Sequence, residues 1–147
     1  MRILLDTNIF IPLEDSSLKI DEKLAKLNRL VSGKHQLLIH PATLRDIKRD
    51  KDLDRQSRIE TRLAKYQQLE FPPVLDIEEE KALFGIPKKD NDSVDNLILY
   101  ALHSNCVHWL VTEDGGIHKK AKRIGEEERV LTVEQVIRSL AENDKAL

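Results

Sequence analysis

Apolar residues along this chain occur either in short unbroken runs or at helical spacing. The unbroken runs predict parallel strands covered on both faces, because such strands lack the polar alternation of half-exposed strands. They lie at residues 3–5 and within the segments "HQLLIH" (35–40), "VHWLVT" (107–112) and "RVLT" (129–132). The first run stops at an acid, Asp6, and apolar residues return at Ile9.

Helical spacing occupies most of the sequence between these runs and predicts amphipathic helices. The predicted helices are residues 21–31, a charged stretch from Pro41 to about Gln68 with an internal break, a short segment at 77–84, a helix from about Ser93, a basic segment at 117–124 and residues 133–143. The third of these lies in a connection rich in proline, which otherwise lacks periodicity.

Strands that alternate with helices predict an α/β fold in three layers, α/β/α, with a central parallel sheet of about four to five strands. A chain of 147 residues fits one such domain, residues 1–147. Its single cysteine, Cys106, cannot form an internal disulfide, and no apolar stretch approaches the ~20 residues that cross a bilayer. We therefore expect a cytoplasmic protein without membrane association. The net charge of −2 does not indicate a nucleic-acid partner by itself.

Acidic residues follow two of the predicted strands at the point where each strand ends. Asp6 follows the first strand, and Asp114 comes shortly after "VHWLVT". Because the carboxyl ends of parallel strands meet at one edge of a sheet, where open α/β folds bind ligands, we expect the two acids to be neighbours. Asp95, in the first turn of the helix before "VHWLVT", and Asp46, in the helix after the second strand, are expected to approach the same edge.

Carboxylates gathered in this way repel one another and take up protons unless a cation neutralises them. Ligation by oxygen alone suits Mg²⁺ or Mn²⁺. Zinc is disfavoured, because the five histidines and the one cysteine show no zinc-ligand spacing. Each acid also has an ordinary explanation: an N-cap for Asp6, the helix dipole for Asp95, a solvated charge for Asp46 and a turn for Asp114. The joint pattern favours a metal site.

Four segments in matching order resemble the PIN-domain ribonucleases: "ILLDTNIFI", "HPATLRDI", "DSVDNLILYAL" and "LVTED". The resemblance spans residues 2 to about 137. It implies a PIN-like three-layer fold and an endoribonuclease that uses Mg²⁺ or Mn²⁺ to hydrolyse phosphodiester bonds of single-stranded RNA. The catalytic acids that it implies are Asp6, Asp46, Asp95 and Asp114.

The resemblance also implies a role for each polar residue. The implied metal ligands are Asp6, Asp95 and Asp114. Asp46, where the family commonly has glutamate, either completes the ligand set or orients the attacking water. Residues that would support these carboxylates or the substrate phosphate by hydrogen bonds are Thr7, Asn8, Asp92 and Thr112. For Asp92, direct ligation and helix capping are both open.

Two basic surfaces are expected to flank the site and to contact RNA phosphates. The first is a helix face formed by Arg55, Arg58, Arg62 and Lys65. The second lies just beyond Asp114 and comprises His118, Lys119, Lys120, Lys122 and Arg123. Acids are interleaved with the first set, so a solvated helix face is its alternative interpretation.

A narrower resemblance concerns "FGIPKKDNDSVDN" and "TEDGGIHKKAKRIG", which are similar to PIN modules that precede an acetyltransferase domain. It implies a longer natural chain with a fused acetyltransferase domain. The ribonuclease toxins of toxin–antitoxin pairs, which have a similar length, are the competing subfamily and imply an antitoxin-like inhibitor protein as partner. The family resemblance also implies RNA as partner and a homodimer.

Two other functions are compatible with the sequence. A catalytically defective PIN-like module would bind RNA or a protein without cutting, which the short side chain of Asp46 favours. A phosphoacceptor signalling domain also gathers acids at strand ends, but it needs an aspartate at the end of a middle strand. The middle strand here, "LLIH", ends in histidine, which disfavours that function.

Overall fold

A parallel β-sheet forms the centre of the computed structural model, which describes residues 1–10, 17–31 and 33–145. Its strands are β1 (Arg2–Leu5), β2 (Gln36–Ile39), β3 (Gln67–Gln68), β4 (Trp109–Val111) and β5 (Val130–Leu131). In the described residues the sheet has five strands in the order β3-β2-β1-β4-β5. The predicted α/β class, with a central parallel sheet and helices on both faces, is confirmed.

Helices connect the strands in chain order, and a last helix follows β5. They are α1 (Ser17–Val31), α2 (Thr43–Lys48), α3 (Leu53–Leu63), α4 (Ile77–Phe84), α5 (Asp90–His103), α6 (Gly115–Arg123) and α7 (Val133–Lys145). A 3₁₀ turn at Thr7–Phe10 directly follows β1, and a second one at Glu127–Arg129 precedes β5. Among the described residues, none of the helices combines the length and the apolar composition of a membrane span.

The central strand β1 pairs in parallel with β2 on one side and with β4 on the other, so that Leu5 is opposite both Ile39 and Val111. The chain runs from β1 outward to β2 and β3, and it then returns past β1 to β4 and β5 on the other side. This reversal of strand order opens a crevice at the carboxyl ends of β1 and β4, where ligands bind in α/β sheets of this kind.

Side chains of β1 alternate between two apolar layers, as the pleat of a strand requires. Ile3 and Leu5 pack into one buried cluster with residues of α1, α3 and α7. Leu4 packs into the other with residues of α5 and α6. Both layers are nearly inaccessible to solvent along β1, which explains the unbroken apolar run in the sequence.

Several predicted boundaries differ from the structure. The first helix, expected over residues 21–31, begins at Ser17. The helix expected to continue to about Gln68 ends at Leu63, and the chain then forms the short edge strand β3. Its two exposed glutamines carry no strand pattern, because β3 is defined by backbone pairing to β2 rather than by buried side chains. The helix expected from about Ser93 begins at Asp90. Pro41 lies in a turn just before α2 instead of in its first turn.

Candidate functional site

Asp6 occupies the carboxyl end of β1, at the reversal of strand order. Its N–H donates to the carbonyl of Val111 (2.9 Å), which continues the pairing of β1 and β4 by one residue. The residue is 4% exposed, and its Oδ2 accepts a hydrogen bond of 2.7 Å from the hydroxyl of Thr112. A buried carboxylate is thus held in place by a side chain of the neighbouring strand end.

Asp114 is the N-cap of α6, and its Oδ1 accepts the N–H of Gly116 (2.7 Å). Its own N–H donates to Oγ1 of Thr112 (3.0 Å). The buried hydroxyl of Thr112 therefore donates to Asp6 and accepts from the backbone of Asp114. This link ties the first and the last of the predicted catalytic acids together.

Asp95 lies on α5, in its second turn rather than in the first turn predicted from the sequence. Ile98, Leu99 and Leu102 continue the same face of the helix into the core and are fully buried. The pKa of Asp95 is raised from 3.8 to about 7, mainly by its burial and then by the carboxylates of Asp6, Asp114 and Asp46. These charges therefore act on one another across the site. Since Asp95 is beyond the first turn, the helix dipole does little to stabilise its charge.

Asp46 reaches the site from α2. Its Oδ1 accepts a hydrogen bond of 3.2 Å from Nη1 of Arg49, one turn along the same segment. Burial raises the pKa of Asp46, whereas the charges of Arg49 and Arg45 act against that rise. Asp46 is thus already paired with a cation from its own segment.

The four acids line one open cleft of about 400 Å³. Other residues that line it are Asn8, Ile47, Arg49, Asp50, Arg55, Ile59 and Asn91. Several half-buried carboxylates around one water-accessible space form a donor set that suits a hard divalent cation. Among the described residues, however, no three acidic, histidine or cysteine side chains lie close enough together to bind one metal ion as they stand. Binding of an ion therefore requires the carboxylates to turn toward each other.

The predicted supporting residues have different positions. Asn8 lines the cleft, and its Oδ1 lies 3.5 Å from the hydroxyl of Thr112. Asp92 lies in the first turn of α5, where its Oδ2 accepts the N–H groups of Lys88 and Lys89 (3.2 Å each). This carboxylate caps the start of the helix. The side chain of Thr7 lies outside the described part of the structure.

The first predicted basic face is only partly formed. Arg55 lines the cleft, and its guanidinium donates two hydrogen bonds to Asp50, of 2.5 and 2.8 Å. Arg58 is exposed on α3, whereas Lys65 lies beyond the end of that helix. The expectation that Lys65 continues the helical face is wrong, because α3 turns into the loop before β3.

The second basic cluster lies on α6, beside the cleft. Nε2 of His118 makes a hydrogen bond of 2.9 Å with the carbonyl of Thr112. Lys120 packs against α5 and donates to Oδ1 of Asn96 (3.0 Å). The remaining members are exposed to solvent: Lys119, Lys122 and Arg123.

Some cleft residues were not recognised in the sequence. Asp50 lies in the break between α2 and α3, five positions before its partner Arg55, which is not a helical spacing; Arg55 itself was predicted, but as part of a basic face that contacts RNA. Arg49 and Asn91 meet at 3.4 Å from α2 and from the first turn of α5, which are remote in sequence. The only signal for these residues was the charge density of the stretch around the break.

Comparison of the chain with protein-family models, with curated proteins and with solved structures found no match.

Proposed function

We propose that this protein is a ribonuclease of the PIN-domain type that hydrolyses phosphodiester bonds of single-stranded RNA with Mg²⁺ or Mn²⁺. The observation that carries the proposal is the convergence of Asp6, Asp46, Asp95 and Asp114 on one cleft. The strong rise in the pKa of Asp95 supports it, because such a site is electrostatically unfavourable until a cation enters. The order and spacing of the motifs that resemble PIN domains give the proposal its substrate class.

Each acid has a role in this proposal that follows from its position. Asp6, Asp95 and Asp114 would hold the ion, and Asp46 would either complete the ligand set or orient the attacking water. A bound divalent ion supplies a Lewis acid for the phosphate oxygen and lowers the pKa of a coordinated water. The hydroxyl of Thr112 holds Asp6 and Asp114 in a fixed relative position, because it donates to the carboxylate of Asp6 and accepts from the backbone N–H of Asp114.

Positive groups beside the cleft would bind the RNA backbone. Arg55 is positioned for this role by its ion pair with Asp50 on the cleft wall. Lys119, Lys122 and Arg123 present exposed charges on α6, whose first residues follow Asp114 directly. Contacts of this kind are independent of sequence, so the proposal includes little base selectivity. Cytoplasmic location is part of the same proposal and is supported by the single cysteine, Cys106, which cannot form an internal disulfide.

The test is cleavage of a single-stranded RNA in Mg²⁺, in Mn²⁺ and in EDTA. We expect cleavage that depends on the metal, and loss of at least about a hundredfold in Asp6→Asn and Asp114→Asn proteins. Asp54→Asn, an exposed acid on α3, serves as the matched control and should keep full activity. Urea unfolding of each variant establishes that it is folded. A folded wild-type protein that cuts RNA with neither ion contradicts the proposal.

A non-cleaving PIN-like module that binds RNA is the second candidate. It is favoured by the pairing of Asp46 with Arg49 and by the lack of a finished metal-binding group among the described residues. The same experiment separates the two functions. RNA binding that persists in EDTA, with no cleavage in either metal, supports the binding module.

A further inference from the structure

The turn between β4 and α6, residues 112–114, carries a hydroxyl that is bonded to two of the proposed catalytic acids. Thr112 is 0% exposed, and its hydroxyl donates to Oδ2 of Asp6 (2.7 Å) and accepts the N–H of Asp114 (3.0 Å). Its own N–H donates to the carbonyl of Leu131 on β5 (3.0 Å). The position of this hydroxyl, and with it the spacing of the two acids, therefore depends on the backbone of Thr112.

The ring of His118 holds the remaining polar group of Thr112. The paired part of β4 ends at Val111, so the carbonyl of Thr112 lies just past the last residue pair of the sheet. Nε2 of His118 makes a hydrogen bond of 2.9 Å with this carbonyl. A carbonyl oxygen can only accept, so Nε2 carries the proton. With this bond, the N–H, the carbonyl and the hydroxyl of Thr112 all have partners.

Helical geometry explains why a residue of α6 reaches the end of a strand. His118 lies one turn beyond the N-cap Asp114, to whose carbonyl its N–H donates (3.2 Å). Side chains on a helix lean toward its N-terminus, so a ring at this position extends back over the first turn. The residue is half-buried, whereas its neighbour Lys119 is exposed. The ring is thus directed at the turn, and the lysine beside it is open to solvent.

We infer that His118 is a positioning residue, which fixes the backbone of Thr112 and thereby the relative position of Asp6 and Asp114, and that it does not bind the RNA backbone. The inference rests on the proposed function, in which these two acids share a metal ion. It replaces the RNA contact expected for His118 from the sequence. Without the bond, the carboxylates would no longer be held at one distance, so the metal site would weaken although the fold persists.

Two substitutions separate the hydrogen bond from the bulk of the ring. His118→Leu removes the donor and keeps a side chain of similar size, whereas His118→Gln places an amide N–H near the position of Nε2. His103→Leu is the matched control. His103 is also half-buried, and its Nδ1 makes a bond of 3.0 Å with Glu126. It is the last residue of α5, about 12 Å along the helix from Asp95.

The first measurement needs no metal. Hydrogen exchange in EDTA follows the amide of Asp114, which donates to the hydroxyl of Thr112. Relative to the amide of Arg55, which donates to the N-cap of α3, we expect exchange at least about fivefold faster in His118→Leu than in the wild type. His118→Gln and His103→Leu should keep the wild-type rate. Unchanged exchange in His118→Leu, or equally fast exchange in His118→Gln, overturns the inference.

If His118→Leu does not fold, the decision passes to His118→Gln. Wild-type protection of the Asp114 amide in that variant supports the positioning role, because the amide donor alone then replaces the ring. Loss of protection overturns it.

The second measurement is Mn²⁺ binding by calorimetry. His118→Leu should bind Mn²⁺ about three- to tenfold more weakly, which is less than the loss typical of a residue bonded directly to a metal ligand. His118→Gln should stay within about twofold of the wild type. His103→Leu should be less stable in urea but bind Mn²⁺ as the wild type does. A purely structural His118 would give that same result in His118→Leu, and the inference would then be overturned.

RNA binding separates the positioning role from direct contact with the substrate. A fluorescent single-stranded RNA in EDTA should bind His118→Leu as tightly as the wild type and Lys119→Gln more weakly. Weaker RNA binding in His118→Leu, together with unchanged Mn²⁺ binding, would identify His118 as a phosphate ligand and overturn the inference. A wild-type protein that binds no Mn²⁺ refutes the proposed function, while hydrogen exchange in EDTA still decides the role of His118.

Discussion

Replacement of Asp95 by asparagine should stabilise the metal-free protein while it damages the metal site. The carboxyl of Asp95 has a pKa of about 7 in the folded chain and 3.8 as its ordinary value. Ionisation of such a group at about pH 8 removes up to about 4 kcal/mol of folding free energy. Because the residue is only half-buried and solvent screens its neighbours, we expect Asp95→Asn to gain about 1–2 kcal/mol.

The pH dependence follows from the direction of this shift. A raised folded pKa means that the contribution of Asp95 to stability is fully present below about pH 4 and is lost as the pH rises through 7. The advantage of Asp95→Asn over the wild type should therefore grow between these values and stay constant above them. Urea unfolding in EDTA at a series of pH values measures it directly.

Asp92→Asn is the matched control, three residues away on the same helix. Its carboxylate accepts two backbone N–H groups at the start of α5, so neutralisation should destabilise the protein instead. Opposite signs for the two variants support the reasoning. A protein with Asp95→Asn that is no more stable than the wild type at about pH 8 would refute the claim that the cleft carries uncompensated like charge.

Three further results are expected. His40 is buried, and burial together with the Arg45 charge lowers its pKa to about 4. The free energy of unfolding should therefore fall by about 3 kcal/mol as the pH falls from 6.5 to 4, and unfolding curves of His40→Asn should lack that part of the pH dependence. Thr112→Val should cost about 1–3 kcal/mol in urea unfolding, because a buried carboxylate and a backbone N–H lose their partner. Gly116→Ala places a Cβ 3.1 Å from Oδ1 of Asp114 and should weaken Mn²⁺ binding. Gly115→Ala, whose Cβ meets no atom within 4 Å apart from its chain neighbours and the backbone of its own helix, should bind Mn²⁺ as the wild type does.

The sheet was predictable because its central strands are buried on both faces. Leu4 and Leu5 are fully inaccessible on opposite sides of β1, so the apolar run is unbroken and stops where the chain reaches the cleft at Asp6. The position of Asp114 followed from the same rule for strand ends. The short helix α4 was also predicted with its observed bounds, Ile77–Phe84. By contrast, β3 consists of two exposed glutamines that pair only through the backbone, and such an edge has no side-chain signature.

The predicted acids do share a cleft, but their electrostatic partners could not be read from the sequence. Lys120 was expected to face RNA because it belongs to a basic run, yet its contacts are with Asn96 and Asp92 across a helix interface. Nothing in the local pattern distinguishes it from Lys119. Contacts between helices depend on crossing geometry, which residue spacing within one helix does not encode.

The central claim is that Asp6, Asp95 and Asp114 share one divalent ion. Crystals soaked in Mn²⁺ and measured for anomalous scattering test it most directly, because the anomalous signal shows the position of the ion. We expect one strong peak in the cleft, with a carboxylate oxygen of each of the three residues at about 2.0–2.3 Å. Soaked crystals with an accessible cleft and no peak there, or with a peak bound by other residues, would contradict the claim.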